Sequence, residues 1–161
     1  AIAGLTLRIA PGAAGIVCEP WETKLSPADG HSARWSLPIV VAARLVEGKV
    51  DHDTFRAPAS AAVRALAARS RWEPLEPNRF PHAFEAEIVC MLSNGAVLTR
   101  RIDDVYGNAS RPADPAAVRA KFRANAALCL DARAIDALEA FFITGEADFS
   151  AFAGALTRPV I

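Results

Sequence analysis

The sequence predicts an α+β fold: a two-layer domain in which an antiparallel sheet packs against helices, followed by C-terminal helices. Three observations predict it. Apolar and polar residues alternate near the start of the chain and again on both sides of Ser93-Asn94-Gly95, which is the period of a half-buried strand. Between and after these stretches the apolar residues recur at helical spacing, and 35 of the 161 residues are Ala, the strongest helix former. Apolar residues make up 52% and charged residues 22%, which is enough to bury a core and too apolar for a disordered chain.

The first strand runs from Ile2 to Ile9, with Leu5, Leu7 and Ile9 alternating with Thr6 and Arg8, and Pro11-Gly12 ends it. Ile16-Val17-Cys18 reads as a short second strand closed by Pro20. Trp21 to Ser32 reads as a loop, broken by Pro27, Asp29 and Gly30. Ser36 to Glu47 is the first clear helix. Leu37, Val40, Val41 and Leu45 fall at helical spacing, Pro38 sits in the first turn where its missing N–H costs nothing, and Gly48 is a good stop. A short helical turn is expected at Asp53 to Arg56. Ala59 to Arg69 is expected to be helical, burying Val63 and Leu66. Pro74, Pro77 and Pro81 then read as a stiff, extended linker.

Glu85 to Leu92 and Val97 to Val105 form the best hairpin. A two-residue Asn-Gly loop would put Glu87 opposite Ile102. A three-residue loop with Gly95 left-handed puts Glu87 opposite Arg101, and the opposite charges favour that register. Gly107 to Pro112 is a loop. Asp114-Pro115 starts a helix, with a carboxylate at the cap and proline in the first turn, and Val118, Phe122 and Cys129 are expected on one face. A second helix is expected to bury Ile135, Leu138, Phe141 and Phe142. Asp148 is expected to cap a third carrying Phe149, Phe152 and Leu156. Residues 1–110 thus read as the α+β domain and 111–161 as a helical segment. That segment is apolar enough to need a covering surface, which points to a homo-oligomer or a missing domain.

Lys plus Arg is 18 and Asp plus Glu is 18, so the net charge is zero and gives no electrostatic case for nucleic acid or an anionic membrane. The longest apolar stretch, Leu37 to Val46, is too short to span a bilayer and carries Arg44. Cys18, Cys90 and Cys129 form no CxxC or Cys/His cluster, so no structural zinc is expected, and free buried thiols suit a reducing cytoplasm.

Few residues suggest chemistry on their own. His31 lies in a polar stretch beside Arg34 and after Asp29, which reads either as an anion-binding or proton-transfer site or as an exposed histidine without a role. Asp51-His52-Asp53 reads as a helix-capping loop. Asp103-Asp104 and Arg100-Arg101 are adjacent on a strand and point to opposite faces, so neither pair makes one shared site. Trp35 and Trp72 read as packing residues rather than stacking platforms. No GxGxxG, P-loop or Gly-x-Ser-x-Gly elbow is present.

Ala33-Arg34-Trp35-Ser36-Leu37-Pro38-Ile39-Val40-Val41-Ala42-Ala43-Arg44-Leu45-Val46-Glu47-Gly48-Lys49-Val50 resembles a characteristic stretch of the MmgE/PrpD family. Members show a small residue, an aromatic, Ser-Leu-Pro-Tyr, an alanine-rich helix and a Gly, with a Phe that matches Phe55. Val63-Arg64-Ala65-Leu66-Ala67, the hairpin with its Asn94-Gly95 turn, Tyr106-Gly107-Asn108 and the Lys121-Phe122 helix are similar too. Their order and spacing carry the resemblance over essentially the whole chain.

The family includes 2-methylcitrate dehydratase, cis-aconitate decarboxylase and iminodisuccinate epimerase, which act on small polycarboxylates without a metal or organic cofactor. The resemblance therefore implies the lid of a longer lyase or isomerase, in which dehydration, decarboxylation or epimerisation depends on an N-terminal helical domain. It implies no cofactor, a small polycarboxylate substrate, and no activity for this fragment alone. Ile39 stands where the family often has a substrate-facing Tyr, and it cannot donate a hydrogen bond. His31, Lys24 and Arg34 are then the cations available to meet a carboxylate. The alternative is a stand-alone, non-catalytic small-molecule-binding or interaction module.

Overall fold

A computed structural model of the chain describes residues 1–144 and 149–157. It contains two compact units, Ala1–Arg111 and Pro112–Ile161.

In the first unit, β1 (Ile2–Ile9), β2 (Ser70–Pro74), β3 (Ala86–Leu92) and β4 (Val97–Ile102) form one sheet in the order β2-β1-β3-β4. β1 and β2 are parallel, whereas β1–β3 and β3–β4 are antiparallel. The fold class is the expected α+β, with a mixed sheet in place of a purely antiparallel one. Running β2 parallel to β1 requires a long crossover. The crossover is built from α1 (Pro11–Val17), α2 (Trp21–Leu25), α3 (Gly30–Arg34), α4 (Leu37–Glu47), a 3-10 turn (Asp53–Phe55) and α5 (Ala61–Ala67).

The core forms where the period of the strand meets the period of the helices. Leu5 and Leu7 of β1 pack with Ile39, Ala42 and Ala43 of α4 and with Val63, Leu66 and Ala67 of α5, all buried. The small alanines let the helix backbones approach the sheet closely. Local signals set the helix ends. The Ser36 hydroxyl accepts from the Ile39 N–H at 3.2 Å, and Gly48 ends α4 in the left-handed region at φ +75°. Ser60 caps α5 in the same way through the Val63 N–H.

Three expectations need correction. Ile16 and Val17 belong to α1 and its end, not to a strand. Pro11 opens that helix, and Ala14 and Cys18, four apart, pack on Ile9. The supposed loop from Trp21 to Ser32 holds α2 and α3, and Asp29 caps α3 by accepting from the Ser32 N–H at 2.7 Å. The proline-rich linker begins with strand β2, which tolerates Pro74 because it lies at the sheet edge.

The hairpin has the preferred register. Glu87 is opposite Arg101, and Gly95 at φ +84° closes the three-residue turn. The charge pairing that favoured this register is not made. Glu87 bonds instead to Arg8 of β1 at 2.5 Å, while Arg101 reaches the buried Glu85 at 3.4 Å. The Cys18 thiol is fully buried, and desolvation, with the nearby Glu19 charge adding to it, pushes its pKa up to about 11.

The second unit contains α6 (Pro115–Ala126), α7 (Ala132–Thr144) and α8 (Phe149–Leu156). Asp114 caps α6 by accepting from the Ala116 N–H at 2.8 Å. Ala134 and Leu138 are buried against Phe122 and Leu130, and Ile135 is buried as well. Glu139, buried, receives Arg119 at 2.5 Å and also Arg123. Val118 and Cys129 do not share the covered face with Phe122: Val118 is exposed, and Cys129 lies beyond the end of α6 and is exposed. Phe141 is half-buried, but Phe142 is 68% exposed, so the expected burial of the second helix holds for its Ile135–Leu138 side only. The expected cap at Asp148 and the Phe152 side chain lie outside the described residues. No described helix is long and apolar enough to cross a membrane.

Candidate functional site

The helices ahead of α4 shape a cleft of about 500 Å³, walled in part by Ile16, Thr23, Lys24, His31, Ser32 and Trp35. One buried hydroxyl holds its base together. Ser36 donates to the Lys24 carbonyl at 2.5 Å while accepting from the Ile39 N–H, so the end of α2 is tied to the start of α4. The Lys24 ammonium crosses to the end of α1 and donates to the Ile16 carbonyl at 2.6 Å. Among the described residues the ammonium has no other partner, which leaves two of its three N–H bonds for a ligand. His31 sits exposed on α3. Among the described residues no carboxylate lines the cleft, so its own charged and titratable groups are Lys24 and His31, with the Asp29 carboxylate close by outside it, bonded to the Ser32 N–H.

The four residues singled out from the sequence do not form one site. Lys24 and His31 share the cleft. Arg34 does not line it; its guanidinium carbon lies 5.6 Å from the centroid of the Phe55 ring. α3 is pressed onto the 3-10 turn so closely that a Cβ on Gly30 would meet the Phe55 carbonyl at 1.9 Å, which explains glycine there. Ile39 is 2% exposed, packs in the core and borders a separate small cavity of about 60 Å³ beside Asp29 and Arg64. Trp35 is a correction in the other direction. It is half-exposed on the cleft wall rather than packed, and its position just before Ser-Leu-Pro was the available signal.

The other charged groups have structural work. Asp51 accepts from the Thr54 N–H at 3.1 Å, as a capping loop should. Asp103 is exposed while Asp104 is buried, but β4 ends at Ile102, and strand alternation does not separate these pairs: Asp103, Asp104, Arg100 and Arg101 all border one basin. Asp104 accepts from the N–H groups of Phe84 and Val105, from the Asn108 amide and from the Ser110 hydroxyl. These bonds, led by the one from Ser110, hold its carboxyl well below the usual carboxylate range. A depressed folded-state pKa means that the stabilisation is complete above the unfolded value of about 3.9 and is lost as the pH falls below it. Asp104→Asn is therefore expected to melt several degrees lower at neutral pH. Its melting temperature should also fall less steeply than that of the unmodified chain as the pH drops from roughly 4 to 2, as read by circular dichroism.

Among the described residues no group of three His, Cys, Asp or Glu side chains is placed to hold a metal ion. The geometry of the cleft fits recognition of a small anion.

A family profile described as MmgE/PrpD C-terminal domain matches residues 1–141. Cis-aconitate decarboxylase from Mus musculus is 33% identical over 112 residues, covering 65% of this chain and 22% of that protein. The match thus spans about a fifth of the length of that relative.

Proposed function

Because the chain belongs to the MmgE/PrpD family, we propose that it is the lid part of a cofactor-independent lyase or isomerase acting on small di- or tricarboxylates. The single observation that carries this reading is the cleft ahead of α4, where Lys24 and His31 stand together with no carboxylate on its walls. In this reading Lys24 and His31 bind and orient substrate carboxylates, and Trp35 shields them from water. Dehydration, decarboxylation or epimerisation then takes place against acid and base groups of a separate helical domain. Arg34, seated on Phe55, adds to the field without touching the substrate. The similarity to cis-aconitate decarboxylase supports a tricarboxylate such as cis-aconitate as the first compound to assay. A homo-oligomer in a reducing cytoplasm completes the proposal.

The test is steady-state kinetics of the longer enzyme that carries this domain. Lys24→Ala and His31→Ala are each expected to raise the apparent KM roughly tenfold or more, the worth of one charge-assisted hydrogen bond, with Arg34→Ala giving a smaller change. Unchanged kinetics for both Lys24→Ala and His31→Ala would mean that the cleft is only structural.

A further inference from the structure

A second concavity lies over the sheet, and one charged residue in it has no partner among the described residues. Between α4 and the β3–β4 half of the sheet runs a groove of about 210 Å³. Its walls are mainly apolar, with Leu37 and Val41 of α4, Leu7 and Ile9 of β1, Ile88 of β3 and Ile102 of β4; Arg8 and Glu87 also border it, and their charges are paired with each other at 2.5 Å. Leu7, Ile88 and Arg100 are partners across three neighbouring strands, so alternation puts Arg100 in the same row and on the same face as these two apolar side chains. A guanidinium is therefore carried at an edge position whose neighbours along the row face the core. Among the described residues it makes no hydrogen bond or ion pair.

Arg100 and Ile102 also line a more open basin of about 420 Å³, where Arg79, Arg101 and Arg111 gather. Two of these arginines are preoriented. The buried Glu85 carboxylate holds Arg79 at 3.2 Å and Arg101 at 3.4 Å. Arg111 lies over the Tyr106 ring and donates to the Asp104 carbonyl. The Asp104 carboxylate, which also faces this basin, is occupied by its own donors, and Asp103 is in reach of Arg101 only at 3.8 Å. The basin therefore keeps an excess of positive charge, with Arg100 its free member.

We propose that the groove and basin together bind an amphipathic carboxylate, with a short acyl chain in the groove between α4 and β4 and the carboxylate on Arg100. The complementarity is of two kinds at once. The groove offers mainly apolar surface to a chain, its Glu87 carboxylate is taken up by Arg8, and at its edge Arg100 has no carboxylate of its own among the described residues. A guanidinium meets a carboxylate with two parallel N–H···O bonds. This site is separate from the Lys24–His31 cleft and makes no use of the residues proposed there.

The experiment titrates octanoate into the 161-residue chain by calorimetry, with acetate and octanol as the two half-ligands. Octanoate is expected to bind roughly tenfold or more tightly than either half-ligand, and to weaken as salt is raised. Arg100→Ala is expected to lose that advantage roughly tenfold, Arg100→Lys to recover part of it, and Arg44→Ala to leave it unchanged. Thermal melts confirm that each variant is folded, which the exposed position of Arg100 favours. Octanoate binding no better than acetate or octanol would overturn the proposal, as would binding indifferent to Arg100→Ala. Binding lost in Lys24→Ala or His31→Ala, but not in Arg100→Ala, would place the ligand in the other cleft and equally refute it.

Discussion

The 161-residue chain alone is expected to show no turnover of cis-aconitate, 2-methylcitrate or iminodisuccinate. General acid–base chemistry needs a base within hydrogen-bond reach of the proton it takes, and a partner that tunes or orients it. The carboxylates held by arginine are arranged for the opposite purpose. Glu73 is held ionised by Arg71 and Arg8, Glu85 by the Arg79 N–H and guanidinium, and Glu139 by Arg119 and Arg123, each with its pKa lowered. A carboxyl that must donate a proton near neutral pH needs the reverse shift. The Cys18 thiol is buried and kept protonated. The His31 ring makes no hydrogen bond among the described residues, with the Asp29 carboxylate near it only as a charge, and Lys24 is committed in part to a backbone carbonyl. The check is an NMR time course of each substrate with purified chain. Turnover that disappears in His31→Ala would show that the cleft is a complete active site and would sink the lid reading.

Much of the fold was legible because its signals are local. Ser36, Pro38 and Gly48 mark both ends of α4 through capping and backbone freedom, and Asp114-Pro115 does the same for α6. Gly95 sets the hairpin register through the turn. The misses share a different cause. β2 is a strand only because β1 lies beside it, and five residues ending in proline carry no strand signal of their own. α2 and α3 have five residues each, too short for hydrophobic periodicity to show. Glu87 chose Arg8 over Arg101, a choice made by which strand lies on each side of β3. The site was half legible for the same reason. Lys24, His31 and Arg34 are close in sequence, but the turn of α3 and the press of the 3-10 segment send Arg34 to Phe55 and leave the other two in the cleft.

Ile39→Ala is expected to destabilise the first unit by about 2–5 kcal/mol, the range for removing a buried branched side chain and leaving a cavity. The position is 2% exposed and sits among Leu5, Leu7, Ala42, Val63 and Leu66, so the sheet, α4 and α5 lose contacts at once. Its neighbours are poorly able to close the gap, because Ser36 and its hydrogen bonds to Lys24 and Ile39 fix the start of α4. Ile39→Tyr, which restores the residue the family resemblance associates with this position, tests the same site from the other side. The ring must enter a packed core, and the adjoining cavity of about 60 Å³ accommodates only part of it. A cost of about 1–3 kcal/mol is expected from overpacking, offset where the phenol reaches Asp29 or Arg64. Urea denaturation followed by tryptophan fluorescence reports on this unit specifically, since Trp21, Trp35 and Trp72 all lie in it. His31→Ala, on the exposed face of α3, is the reference and should stay within about 0.5 kcal/mol. If Ile39→Ala unfolds at the same urea concentration as His31→Ala, the side chain is not a core residue. The assignment of Ile39 to the hydrophobic layer under α4 would then be wrong, and a substrate-facing role at this position would return.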